Sequence, residues 1–293
     1  MINQFLNYLR HERNASPQTV LTYEEGLREF ESYLSFRDEG LSLGKVDTDL
    51  IRDWMESLMD KGNNASTINK KLSALRSFYR YALKRKLVDA DPAHCITGPK
   101  KSKPLPQFLR EREMDNLLDV IEWGDNYKDV RARTILLLFY EAGLRRAELT
   151  GLNDADVDFE AKQLKVTGKR NKQRVIPFGE ELSQVLSHYI TIRDEQVARK
   201  EAGALFLSDK GERMKGDQVY TIVHKYLTAV TSLKKRSPHV LRHTFATAML
   251  NNGAGLESIK NLLGHESVST TEIYAHTTFE QLKRVYKEAH PRA

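Results

Sequence analysis

Apolar residues recur at intervals of three and four over residues 2–9, 20–34, 50–59 and 68–83, with charged and amide side chains between them. That spacing puts the apolar positions on one face of an α-helix, so the first hundred residues read as four amphipathic helices. Each start has a credible cap: Ser16 before Pro17, then Asp47 or Thr48, then Ser66 or Thr67. Around residues 92–107 the periodicity stops, and Pro92, Gly98, Pro99, Pro104 and Pro106 alternate with Lys100, Lys101 and Lys103. Prolines without hydrophobic periodicity mark a linker. The expected division is therefore a helical domain over 1–92, a Pro/Lys linker over 93–107 and a second domain over 108–293.

The second domain opens with helical patterns over 112–121 and 130–140, the latter apolar enough to be buried. Gly143 then suits a helix C-cap, and a short helix follows near Ala147. Residues 163–167 and 173–178 read as two strands joined by a hairpin, with Gly168 and Asn171 as its flexible positions. The remainder is helical. The expected fold is mainly α in two domains, with one small antiparallel sheet in the second.

A chain of 293 residues is long enough for two cores and a cleft. Its formal charge of +6 favours a polyanionic partner without requiring one. The N-terminal half is nearly neutral, so its basic residues have to be sorted by face. Lys70, Lys71, Arg76, Arg80 and Lys84 ride on the fourth helix, the one expected to lie against nucleic acid. Cys95 is the only cysteine, which excludes an internal disulfide or a cysteine-based zinc cluster and fits a reducing compartment. No apolar run approaches the roughly 20 residues that span a bilayer, and the first residues lack the apolar core of a signal peptide. A cytoplasmic, nucleoid-associated protein without a membrane partner is expected.

The chemistry concentrates between His239 and Tyr274. Arg242 lies one helical turn after His239 behind Ser237-Pro238, His265 follows Leu262-Leu263-Gly264, and Tyr274 follows the polar run Ser269-Thr270-Thr271. An arginine fork and imidazole donors suit a phosphate, and a phenol suits its attack. His243, four residues after His239, invites a metal reading. Against it, no third ligand has a suggestive spacing, and Arg242 would set a permanent charge beside the ion. Taken singly, every one of these residues has an ordinary explanation: Arg145 as a surface cation paired with Glu148, Lys169 as a hairpin-tip lysine, His265 as a cap, Tyr274 as packing.

Taken in order, the motifs say more. Gly143-Leu144-Arg145, Gly168-Lys169, His239-Val240-Leu241-Arg242-His243, Leu262-Leu263-Gly264-His265 and Tyr274 resemble the tyrosine recombinase (phage integrase) family, most closely its XerC/XerD branch. The resemblance spans nearly the whole chain, and every position of the family's Arg-Lys-His-Arg-His-Tyr set is filled. It implies a SAM-like, core-binding N-terminal domain and a DNA breaking-rejoining catalytic domain. It implies Tyr274 as nucleophile, Arg145, Arg242 and His265 on the scissile phosphate, His239 as proton acceptor and Lys169 as general acid, with Glu148 orienting Arg145. No metal and no cofactor are expected. The implied partners are a double-stranded DNA recombination site, a second recombinase subunit in a tetramer on two sites, and a septal DNA translocase.

The activity so implied is cleavage and rejoining of DNA through a 3′-phosphotyrosyl intermediate and a Holliday junction, resolving chromosome dimers. A mobile-element integrase is the alternative, weakened by the lack of a separate arm-binding domain. Thr67, Asn69, Lys70 and Arg76, with Lys172 and Arg174 beside the hairpin, are the candidate DNA contacts. The apolar stripe Leu282, Val285, Tyr286 and Ala289 is expected to dock into a neighbouring subunit.

Overall fold

The computed structural model of the chain describes residues 1–101, 106–168, 171–198, 201–264 and 279–292, without the side chains of 279 and 280. Lys169, His265 and Tyr274 lie outside the described residues. The chain divides into two compact units, Met1–Pro104 and Leu105–Ala293.

The first unit is built from α1 (Ile2–Asn7), which runs on as a π-helical turn over Tyr8–Glu12, α2 (Pro17–Arg37), α3 (Thr48–Asp60) and α4 (Ala65–Lys84). These are the four helices the periodicity predicts, and their apolar faces form one core around Phe5, Phe30, Trp54, Phe78 and Tyr79. Ser16 caps α2 by accepting the Thr19 amide, and Asp47 caps α3 by accepting that of Leu50 at 2.8 Å. The cap of α4 differs from expectation. Asn64 accepts the Thr67 amide at 2.9 Å, so the helix starts before Ser66. A short amide side chain fills the same role as a hydroxyl there, which is why neither Ser66 nor Thr67 is needed.

The segment after α4 packs instead of trailing away. Ala93 and Ile96 are buried in the core of this unit. The Arg76 guanidinium donates to the carbonyls of Ala93 and Ile96, and the Asn69 amide donates to the carbonyl of Pro99 at 2.8 Å. Composition reads 93–99 as linker because it lies within the Pro- and Lys-rich stretch 92–107 and lacks helical periodicity, but two apolar side chains and two polar clamps suffice to order it.

The second unit surrounds α6 (Tyr127–Ala142), whose residues are buried almost all round. α5 (Glu111–Asp115) precedes it, continuing as a π-turn over Asn116–Val120, and α7 (Arg146–Gly151) follows it. A three-stranded antiparallel sheet comes next, in the order β1 (Val157–Asp158), β2 (Gln163–Thr167), β3 (Gln173–Pro177). The two-residue β1 is too short to leave a period-2 signal. In the hairpin Leu164 pairs with Ile176 and Val166 with Arg174, and Leu164, Val166 and Ile176 face the core. The helices α8 (Glu180–Gln196), α9 (Gly216–Val230), α10 (Pro238–Asn251), α11 (Leu256–Leu263) and α12 (Phe279–Ala289) complete the unit.

α12 packs on its own unit. Tyr286 and Ala289 are buried in that core, and the Tyr286 hydroxyl donates to Glu141 Oε2 at 3.1 Å. His290 stacks on Tyr286, and Arg292 bonds to Glu181 and Asp119. Of the apolar stripe expected to reach a neighbour, Tyr286 and Ala289 are thus buried within the isolated chain, and Leu282 and Val285 are half-buried against the same core. Burying a phenol demands a hydrogen-bond partner, and Glu141 supplies it. Among the described residues no helix is long and apolar enough to cross a membrane.

Candidate active site

Gly143 ends α6 in the left-handed conformation, φ 56°, and a Cβ there would meet Phe245 at 2.5 Å. Only glycine fits both demands. The sharp exit throws Arg145 to the N-cap of α7, where its backbone amide donates to Glu148 Oε2 at 2.8 Å. The same carboxylate receives the Arg145 side chain, Nη1 to Oε1 at 2.7 Å.

Arg242, buried on α10, approaches from the other side. Its Nη1 donates to the Gly143 carbonyl and its Nη2 to that of Leu263 at 2.6 Å, with Glu148 Oε2 at 3.8 Å. Arg145 Nη2 donates to the carbonyl of Gly264 at 2.9 Å. Arg174 on β3 donates from Nε to the carbonyl of Leu262 at 2.7 Å. Three successive carbonyls at the C-terminal end of α11 therefore each receive one arginine. A helix leaves its last carbonyls unpaired and carries partial negative charge there, so this end is a natural seat for cations. Gly264, at φ 63°, closes the helix, and the next residue is His265.

Glu148 holds the cluster together. It is 4% exposed and accepts from Arg145 and from both terminal nitrogens of Arg174, at 2.8 and 2.9 Å. Burial by itself would raise its carboxyl, but the hydrogen bonds and charge of Arg174, then those of Arg145, outweigh that and hold it at about 2. Glu148 is ionised at any physiological pH. One carboxylate among three guanidiniums leaves the cluster net positive, as an anion site requires.

Arg242 is pushed down to about 10 by burial, then by Arg145 and Arg174 against the pull of Glu148, and so remains charged at neutral pH. His239 sits one turn before it, exposed at the start of α10 behind Ser237 and Pro238. Its imidazole lies below the ordinary value through partial desolvation, the neighbouring His243, and the cations Arg242, Arg146 and Arg145. A neutral imidazole is one able to take up a proton.

The structure thus brings Arg145, Glu148, Arg242 and His239 together. The hairpin base joins them: a Cβ on Gly168 would lie 3.4 Å from Glu148 Oε1, so the residue before Lys169 abuts the cluster. Lys172 is exposed on the hairpin. Arg174, expected at DNA, is turned inward instead, and its signal was present in the strand pattern. It occupies the same face as the buried Ile176, two residues on. Arg146, to which the sequence alone assigns no role, lies across Gly216 at the start of α9 and contributes to the field on His239.

In the first unit the candidates separate. Lys70 is exposed, and Arg80 and Lys84 continue the same face of α4. Asn69 and Arg76 are taken up by the 93–99 segment, Lys71 by Glu29 at 2.6 Å, and Thr67 by the Asn64 cap.

Comparison with known proteins places the chain in a family. Residues 107–281 match the phage integrase family and residues 2–86 its N-terminal SAM-like domain. The chain is 38% identical over 301 residues to the tyrosine recombinase XerC of Pelotomaculum thermopropionicum, covering 100% of this chain and 98% of that one. It is 37% identical over 297 residues to XerC of Halalkalibacterium halodurans, with 100% and 97% covered. Among solved structures, the XerH site-specific recombinase bound to palindromic difH substrate shares the fold, with a TM-score of 0.73 and 24% identity over 97% of this chain and 83% of that one. From the motif order, the fold and these full-length matches, the chain belongs to the phage integrase family and is a site-specific DNA recombinase of the tyrosine type.

Proposed function

We propose that this protein cleaves and rejoins double-stranded DNA through a 3′-phosphotyrosyl bond to Tyr274, passing through a Holliday junction. The observation that carries this reading is the meeting of Arg145 and Arg242 at adjacent carbonyls of the α11 terminus, immediately before His265. A guanidinium has five donors, and among the described residues each of these two arginines uses two, on protein oxygens. The donors that remain suit the non-bridging oxygens of a phosphate and the charge that grows on them in the transition state.

An unperturbed phenol has a pKa of about 10, so only about a thousandth is ionised at pH 7. Tyr274 gives its proton to the neutral imidazole of His239 as its Oη bonds to phosphorus. The bond from phosphorus to the 5′ oxygen breaks, and Lys169 supplies the proton that oxygen takes. His265 donates to the same phosphate oxygens. The phosphotyrosyl ester keeps the energy of the phosphodiester, so exchange with a second strand needs neither ATP nor a further cofactor.

Two duplexes and four active sites make the working unit a tetramer, of this chain or with a second recombinase subunit. Full-length similarity to XerC proteins supports resolution of chromosome dimers at cell division, in the cytoplasm at the nucleoid, with a septal DNA translocase as a further partner. The exposure of Lys70, Arg80 and Lys84 along one face of α4, and of Lys172 on the hairpin of the other unit, supports these residues as contacts to the DNA backbone.

A nicked suicide duplex carrying the recombination site tests the reading. Wild type forms a covalent protein–DNA adduct and Tyr274→Phe forms none. An adduct that persists in the variant removes Tyr274 as nucleophile. Exchange on a synthetic Holliday junction then separates a recombinase from an enzyme that only relaxes DNA.

A further inference from the structure

We propose that Arg174 is a positioning residue of the active site, which sets the charge and placement of Arg145 and Arg242 through Glu148 without touching DNA. The inference rests on the recombinase reading above and concerns the same site. Arg174 is a basic residue beside the hairpin of a DNA enzyme, so the obvious role is a phosphate contact. The geometry points elsewhere.

Its side chain is only 14% exposed. All three of its nitrogens are engaged inside the protein: Nε on the carbonyl of Leu262 at 2.7 Å, Nη1 on Glu148 Oε1 at 2.8 Å and Nη2 on Glu148 Oε2 at 2.9 Å. The pair with Glu148 is a two-pronged fork, the geometry that a planar guanidinium matches and an ammonium does not. Gly264 is fitted around it. A Cβ at that position would come within 3.0 Å of Arg174 Nη1, so the arginine occupies the room that glycine leaves at the end of α11.

Arg174 thereby ties three elements at one point: β3 by its own backbone, α7 through Glu148, and α11 through Leu262. Each of the other two arginines of the cluster leans on the same pieces. Arg145 uses Glu148 and Gly264, and Arg242 uses Leu263. If Arg174 is removed, the buried Glu148 loses two of its hydrogen bonds and a full opposing charge. It then draws more strongly on Arg145, the cation needed at the phosphate, and the last turn of α11 loses its tie to the hairpin.

The test compares Arg174→Met, Arg174→Lys, Glu148→Gln and the double variant Arg174→Met/Glu148→Gln in the full-length protein. Equilibrium binding to a duplex is followed against salt, the rate of adduct formation on a suicide duplex is read at saturating protein over a range of pH, and urea unfolding is recorded for each. The expected Arg174→Met protein binds DNA with the salt slope of wild type but cleaves at saturation about a hundredfold more slowly, the scale of an ångström-sized misplacement. Arg174→Lys, which keeps the charge and loses the fork, recovers part of the rate. It also serves as the informative variant if Arg174→Met does not fold. In urea, the double variant is no less stable than the weaker single variant, because each single change already breaks the pair.

Three results would overturn the proposal. A salt slope lowered by about 0.9, with normal cleavage at saturation, is the signature of one phosphate left without its cation. Additive losses of stability in the double variant would show that Arg174 and Glu148 do not act together. Full cleavage by Arg174→Met would show that neither charge nor placement depends on it. A wild type that forms no adduct contradicts the Tyr274 chemistry instead, and the coupling in urea still reports on the pair.

Discussion

At the scale of single residues, the site is a problem in placing like charges close together. Arg145, Arg174 and Arg242 would repel one another, and the fold answers with one buried carboxylate and three consecutive carbonyls at a helix end. Glu148→Gln keeps the shape and removes the charge. It should slow cleavage at saturating protein while leaving DNA affinity nearly unchanged, as read in the suicide-duplex assay. Gly143 is the matching test of backbone. Alanine there must adopt φ 56° and overlap Phe245, so Gly143→Ala should cost about 1–3 kcal/mol from the backbone alone, with the overlap adding to it, measured by urea unfolding. The sequence singles out Arg145, Lys169, His239, Arg242, His265 and Tyr274 through short motifs with distinctive neighbours, and among the described residues Arg145, His239 and Arg242 lie near one another. The inward turn of Arg174 was harder to see. A basic residue next to a hairpin reads as a surface residue unless the two-residue period of its strand is followed through Ile176.

At the scale of elements, the last helix carries a pH-dependent attachment. Glu141 is buried beneath α12 and pushed up to about 8, by burial first, partly offset by the hydrogen bonds from Tyr286 and the Gly179 amide. Its folded pKa lies above the ordinary carboxyl value, so its contribution is complete at low pH and lost as pH rises towards about 8. His290, stacked on Tyr286, is pushed down to about 4 by burial, so its contribution is present above the ordinary imidazole value and lost as pH falls from about 6.5 to about 4. The two oppose each other below pH 6.5, and above it Glu141 acts alone. Raising the pH from 6.5 to 8 should therefore cost wild type on the order of 2 kcal/mol from this group, and Glu141→Gln should remove most of that slope in thermal unfolding followed against pH. Equal slopes for the two proteins would show that Glu141 is not protonated there. The helices themselves were legible from their three-four spacing, and Ser16 and Asp47 from their chemistry. The packed 93–99 segment was not, since its order comes from Asn69 and Arg76 on a distant helix and from no pattern of its own.

At the scale of the whole molecule, the chain forms two units, each with its own hydrophobic core. The net charge of +6 says little by itself, because many of the basic side chains are tied to acidic or carbonyl partners. Sorting by exposure leaves Lys70, Arg80 and Lys84 along one face of α4. Replacing these three by alanine should weaken DNA binding and lower the salt slope by about 2–3, near 0.9 for each phosphate no longer neutralised. Arg76→Ala should instead leave the slope unchanged and destabilise the first unit by about 1–3 kcal/mol, through carbonyls left without a donor. The family and the mainly helical fold were readable because motif order survives where single residues are ambiguous. Which basic residues are available to DNA depends on how distant positions meet, and only the folded chain reveals that. In the proposed mechanism the phosphate held by Arg145 and Arg242 is transferred to the phenol of Tyr274. The most direct measurement is to trap the adduct on a suicide duplex, digest both DNA and protein, and map the modified peptide by mass spectrometry. A nucleotide joined through its 3′ phosphate to Tyr274 is expected, and a nucleotide on any other residue, or one joined through a 5′ phosphate, would rule the mechanism out.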